Sequence, residues 1–128
     1  MVYRIYVGSY SNEISTLSFD PESRSLTVDS SITVGFHPSW ITPHPKDKSL
    51  IFTGLEQSDG QIVAVKFDQK GHGTIVGSAS SGGRDPCTLL AHGAELLIGN
   101  VCADRLSQYI REHLSLCSIR RGSSILYL

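Results

Sequence analysis

The sequence repeats itself with a long period. Arg4-Ile-Tyr-Val-Gly8 returns as Leu50-Ile-Phe-Thr-Gly54 and again as Leu96-Leu-Ile-Gly99. Phe19-Asp20 returns as Phe67-Asp68, and Gly35-Phe-His-Pro38 as Gly83-Arg-Asp-Pro86, at offsets of 45 to 48 residues. A unit of this length made of short strands buries its faces only by stacking on its neighbours. It is the unit of a β-propeller. The 128 residues hold fewer units than the four or more that close a ring.

Each unit divides into strands at its turns. Stretches 3–8, 13–19 and 25–34 are predicted strands, separated by Ser9-Tyr-Ser-Asn12 and Asp20-Pro-Glu-Ser23. Stretches 39–43, 49–55, 61–67 and 73–79 form a complete second unit, and 87–91 and 95–99 open a third. Period-two alternation places Leu17 with Phe19, and Val65 with Phe67, on one face. Ile14 and Thr16, or Ile62 and Ala64, occupy the other. Two partly apolar faces suit sheets packed on both sides. The first unit lacks the Pro-led strand that opens the second and third. The predicted fold is all-β: a partial β-propeller of about two and a half four-stranded antiparallel blades.

Composition narrows the partners. Hydrophobic residues make up 40% and charged residues 18%, with a net charge of −1 and no block of like charge. That excludes a disordered tail and gives no clustered basic surface for nucleic acid. No apolar run reaches the ~18 residues of a membrane span, and the N-terminus has no signal-peptide pattern. Cys87, Cys102 and Cys117 cannot all pair and contain no CxxC spacing. They read as reduced thiols, and the expected location is cytoplasmic.

The Gly-x-x-Pro segments carry the candidate chemistry. His37 and Asp85 occupy equivalent places just before the inner strand, with Phe36 and Arg84 beside them. Loops entering inner strands commonly hold ligand groups in propellers, so His37, Arg84 and Asp85 are the candidate substrate-binding residues. The plainer alternative is a turn shaped by the repeated Gly and Pro. His44 and His92 align, which argues for a structural role, and Trp40 reads as packing between blades. No metal ligand set accompanies His37 and His44. There is no G-x-G-x-x-G to cradle a phosphate and no G-x-S-x-G nucleophile elbow. No cofactor is expected.

Tyr6-Val-Gly-Ser-Tyr10, Leu17-Ser-Phe-Asp20, Gly35-Phe-His-Pro-Ser-Trp40, His44-Pro45, Ser81-Gly-Gly-Arg-Asp-Pro-Cys87 and Leu96-Leu-Ile-Gly-Asn100 together resemble the seven-bladed lactonase family. That family includes bacterial-type 6-phosphogluconolactonases and fungal carboxy-cis,cis-muconate cyclases. The resemblance covers about residues 3–100. It looks closer to the cyclase-like branch through Pro-Ser-Trp and Gly-Gly-x-x-Pro-Cys. It implies a parent roughly three times this length at 40–50 residues per blade. That parent would act as a hydrolase or isomerase on a small-molecule carboxylate or sugar-phosphate lactone. The family's catalytic histidines, arginines and acidic residue lie mostly in later blades and match no position here. This chain alone is then expected to be inactive and to self-associate. A non-enzymatic interaction propeller, or a truncated product without independent function, is the alternative.

After Asn100 the family pattern breaks. Apolar residues at 106, 109, 110, 114 and 116 fit a short amphipathic helix over 103–116. Residues 101–121 therefore read as an atypical, irregular or helical insertion, and 122–128 as a possible further strand. A retained intron or alternative transcript would produce such a break, as would a family insertion.

Overall fold

The computed structural model describes residues 1–101 and 107–110. Among these residues ten strands come in chain order: β1 (Tyr3–Val7), β2 (Glu13–Asp20), β3 (Ser25–Thr33), β4 (Pro38–Pro43), β5 (Leu50–Leu55), β6 (Gln61–Phe67), β7 (Gly73–Ser80), β8 (Pro86–His92), β9 (Glu95–Asn100) and β10 (Ser107–Ile110). They form three antiparallel sheets: β1-β2-β3, β4-β5-β6-β7 and β10-β9-β8. The first sheet lacks the strand inside β1, and the second is a complete blade. The partial propeller expected from the repeat is the fold observed, and β5 and β6 pair as the hairpin it requires.

The blades stack through two cores. Ile14 and Val34 of the first meet Ile51, Leu55, Val63, Val65 and Phe67 of the second. Leu50, Phe52, Ile62 and Ala64, on the opposite face of the second, meet Leu89, Leu96 and Ile98 of the third. The alternation along β6 thus splits Val63, Val65 and Phe67 from Ile62 and Ala64, one set for each neighbour. Each such aliphatic or aromatic side chain contributes about 1.5–3 kcal/mol when fully buried. The second blade is buried on both faces and is the centre of the molecule. The Tyr6 and Phe67 rings close the first seam with centroids 4.1 Å apart.

Polar contacts fix how the first two blades meet. The hydroxyls of Thr16 and Ser30 both donate to the Gly71 carbonyl, each at 2.9 Å. The Arg4 guanidinium donates to the carbonyls of Asp68 at 3.3 Å and Gln69 at 2.7 Å. One turn of the second blade is therefore held by three side chains of the first.

That turn explains the repeated Phe-Asp. The Asp68 carboxylate accepts from the Lys70 and His72 amides at 2.8 and 2.9 Å and faces the His72 ring at 3.3 Å. Asp20, its equivalent, accepts from the Glu22 amide at 3.0 Å and the Ser23 hydroxyl at 2.7 Å. The His72 amide, followed by the His72 ring, holds Asp68 below its ordinary value of 3.8. The Ser23 hydroxyl and then the Glu22 amide lower Asp20. A depressed carboxylate contributes stability above its unfolded pKa and loses it as pH falls through the folded one. Stability should therefore drop as pH falls from just above 3.8 downward. Urea midpoints compared at pH 6 and pH 3 check this; Asp20→Asn with Asp68→Asn should flatten the acid limb, and an unchanged limb would refute it.

The third sheet corrects one expectation. Residues 107–110, inside the stretch read as a helix over 103–116, form β10 and pair with β9 from Ser107↔Ile98 to Ile110↔Glu95. A lone helix of that length is marginal in water, whereas β9 would otherwise present a row of unpaired amides and carbonyls. Sheet completion wins. The rest of 101–121 beyond Val101 and β10, and the possible strand at 122–128, lie outside the described residues. Among the described residues no helix is long and apolar enough to cross a membrane.

Candidate functional site

The loops entering the inner strands are built alike. β4 and β8 are the inner strands and lie side by side. The residue just before each has a positive φ: His37 at 50° and Asp85 at 51°. Non-glycine residues rarely adopt this conformation, and Asp, Asn and His do so most readily. Each is clamped on both sides. The His37 amide donates to the Ser11 carbonyl at 3.0 Å, and its carbonyl accepts from the Glu56 amide at 3.1 Å. The Asp85 amide donates to the Gln57 carbonyl at 3.0 Å, and its carbonyl accepts from Val101 at 3.1 Å. The shared backbone of Glu56 and Gln57 therefore ties His37 on one side and Asp85 on the other.

The repeated Gly-x-x-Pro does shape a turn, and the same turn sets side chains at one end of the blades. His37 is half-buried, stacked on Phe36 with centroids 3.5 Å apart and met edge-on by Tyr10 at 4.9 Å. Arg84 is exposed and Asp85 half-buried. Neither side chain has a hydrogen bond or ion pair among the described residues, so both are open to a ligand.

Sequence reasoning missed three members of this cluster: Tyr10, Ser39 and Glu56. Ser39 is the extra residue of a β-bulge in β4, where the register shifts between Pro38 and Trp40. Bulges re-aim a side chain. Here the Ser39 hydroxyl donates to Glu56 Oε1. The Tyr10 phenol faces the same carboxylate; the charge of Glu56, then its hydrogen bond, raises the phenol above its ordinary value of 10.0. Strand parity was the available signal. The β1–β2 and β5–β6 turns must emerge at the same end as the loops entering β4 and β8, which puts Tyr10 and Glu56 beside His37.

Cys87 is the bulge residue of β8, equivalent to Ser39. It is a free, half-buried thiol whose sulfur lies 3.7 Å from the Gly99 carbonyl. Trp40 is 42% exposed yet donates its indole N–H to the Leu89 carbonyl at 3.0 Å, so it bridges the second and third blades. The His44 ring accepts from the Lys46 and Asp47 amides at 3.2 and 2.9 Å and shapes a turn away from the cluster. Among the described residues no three His, Cys, Asp or Glu side chains gather as a metal site.

A family model described as a lactonase with a 7-bladed β-propeller matches residues 4–107. The chain belongs to that lactonase family. Two solved structures assigned as 6-phosphogluconolactonases share its fold. The one from Bacteroides uniformis aligns with a TM-score of 0.78 at 22% identity, over 94% of this chain and 38% of its own. The one from Bacteroides fragilis gives 0.77 at 22%, over 93% and 36%. Saccharomyces cerevisiae Sqt1 gives 0.63 at 13%, over 84% and 30%. At these identities the likeness is one of fold. The lactonase-family chain spans less than two fifths of the structures it resembles. No curated protein matches it.

Proposed function

We propose that this chain supplies one sector of a lactonase-type propeller that acts on small carboxylated or phosphorylated lactones. His37, Arg84 and Asp85 then lie at the mouth of the substrate site. The observation that carries the reading is the doubled loop: in a chain of the lactonase family, His37 and Asp85 are fixed in the same rare conformation at one end of the blades, with Arg84 free beside them. A planar guanidinium fits both oxygens of a carboxylate or phosphate, which suits Arg84 to hold the substrate's anionic end. Lactone hydrolysis needs a base to activate water and positive charge for the developing oxyanion. Ring closure of a muconate, the chemistry of the cyclase-like branch, needs an acid at carbon and cations on the carboxylates. Either requires groups converging from several blades.

Three blades do not surround a channel, and an open, solvated site loses the low dielectric that strengthens charge stabilisation. The purified 128-residue chain is expected to show no 6-phosphogluconolactone hydrolysis above the spontaneous rate and no 3-carboxymuconate cyclisation. Turnover that disappears on Arg84→Ala or His37→Ala would overturn the expectation of inactivity.

A further inference from the structure

Glu56 stands at the centre of the site, and its surroundings point to what it meets. Its amide is bonded to the His37 carbonyl, and the Gln57 carbonyl next to it takes the Asp85 amide, so its backbone cannot drift. Ser39 donates to Oε1. A carboxylate has about four acceptor positions, and Ser39 and the Tyr10 phenol engage two of them. Among the described residues no lysine, arginine or histidine pairs with this carboxylate. It therefore presents net negative charge and unused acceptor capacity at the mouth. The Tyr10 ring beside it is 70% exposed, and Phe36, 49% exposed, stacks on His37, whose carbonyl takes the Glu56 amide.

We propose that Glu56 is a specificity-determining residue of this site: seated by Ser39, its carboxylate accepts hydrogen bonds from the hydroxyls of a neutral polyhydroxylated ring and turns away ligands that present a carboxylate there. The inference rests on the lactone-site reading above and decides between its two substrate classes. Exposed aromatic rings give a flat, amphipathic surface for the C–H face of such a ring. A charged acceptor makes the stronger kind of hydrogen bond with the ring's hydroxyl edge. An anionic ligand group at the same place meets like charge. The single anionic end of a sugar-phosphate lactone is directed to Arg84, on the neighbouring loop. A muconate carries a carboxylate at each end and places one of them against Glu56.

Calorimetric titration of the 128-residue chain at pH 7 with D-gluconolactam, a stable neutral lactone analogue, and with cis,cis-muconate tests this. Wild type is expected to bind the lactam at least about tenfold more tightly than muconate. Glu56→Gln, which keeps the shape and removes the charge, should weaken the lactam and strengthen muconate, each by about tenfold. Arg84→Ala should weaken muconate. The inference is overturned if wild type prefers muconate, a result independent of how well any variant folds. It is also overturned if binding responds to Arg84→Ala and is indifferent to Glu56→Gln. Binding of neither probe to wild type overturns the lactone-site reading and this inference together.

Discussion

Alanine at Gly8 is expected to unseat the first blade from the second, at a cost of about 3 kcal/mol or more, the upper end of overpacking penalties. A Cβ on Gly8 would lie 2.0 Å from the Pro38 carbonyl oxygen. That oxygen belongs to backbone at the head of an inner strand and has no cheap way to retreat. Gly54, the equivalent residue one blade on, has the Pro86 carbonyl 2.8 Å from where its Cβ would be. The repeated glycine is thus a contact surface for the first residue of the next blade's inner strand. Gly99 is the third copy, and there the nearest atom is Thr88 Cβ at an ordinary 3.5 Å. Gly8→Ala and Gly54→Ala should therefore lower the urea midpoint strongly, while Gly99→Ala stays within about 0.5 kcal/mol of the parent. Equal effects at the three positions would sink the explanation.

The 128-residue chain on its own is expected to self-associate head to tail. The open face of the first blade carries Tyr3, Ile5, Leu26 and Val28, between 40% and 69% exposed, around half-buried Leu17 and Phe19. Ile5, Leu17 and Phe19 correspond to Ile51, Val65 and Phe67, which the second blade buries against the first. The third blade shows the opposite kind of face, with Leu90 54% exposed. These two faces are the halves of the contact the molecule already makes twice. Pairing them between copies is heterologous and favours open assemblies over a closed dimer. Light scattering after size exclusion should show mass rising with concentration, without a single dimer endpoint. Leu26→Lys with Val28→Lys should return a monomer with unchanged circular dichroism, because both side chains are exposed. A monodisperse parent monomer at every concentration would count decisively against this.

The propeller was legible because its causes are local. Turn chemistry at Asp20 and Asp68 and alternation along β2 and β6 act within a few residues, and the repeat near 45–48 residues copies them from blade to blade, so strand positions followed closely. The short stretch around β10 departs from its sequence pattern for the converse reason. Its periodicity fits a helix, and the open edge of β9, set by residues 9 to 15 places earlier, decides for a strand.

For the site, the sequence determined which residues repeat: His37 with Asp85, Ser39 with Cys87, Gly8 with Gly54 and Gly99. Tertiary structure alone decided what those repeats do. Gly8 is required by a carbonyl thirty residues away. His37 and Asp85 hold their left-handed backbone because separate hairpin turns accept and donate around them. Glu56 gives no periodic signal, and only the bulge at Ser39 and the adjacent β1–β2 turn bring a hydroxyl and a phenol to it. Repetition is written along the chain because every blade must meet the same packing demand. The site departs from repetition, so its members are identified only by where the stacked blades bring them.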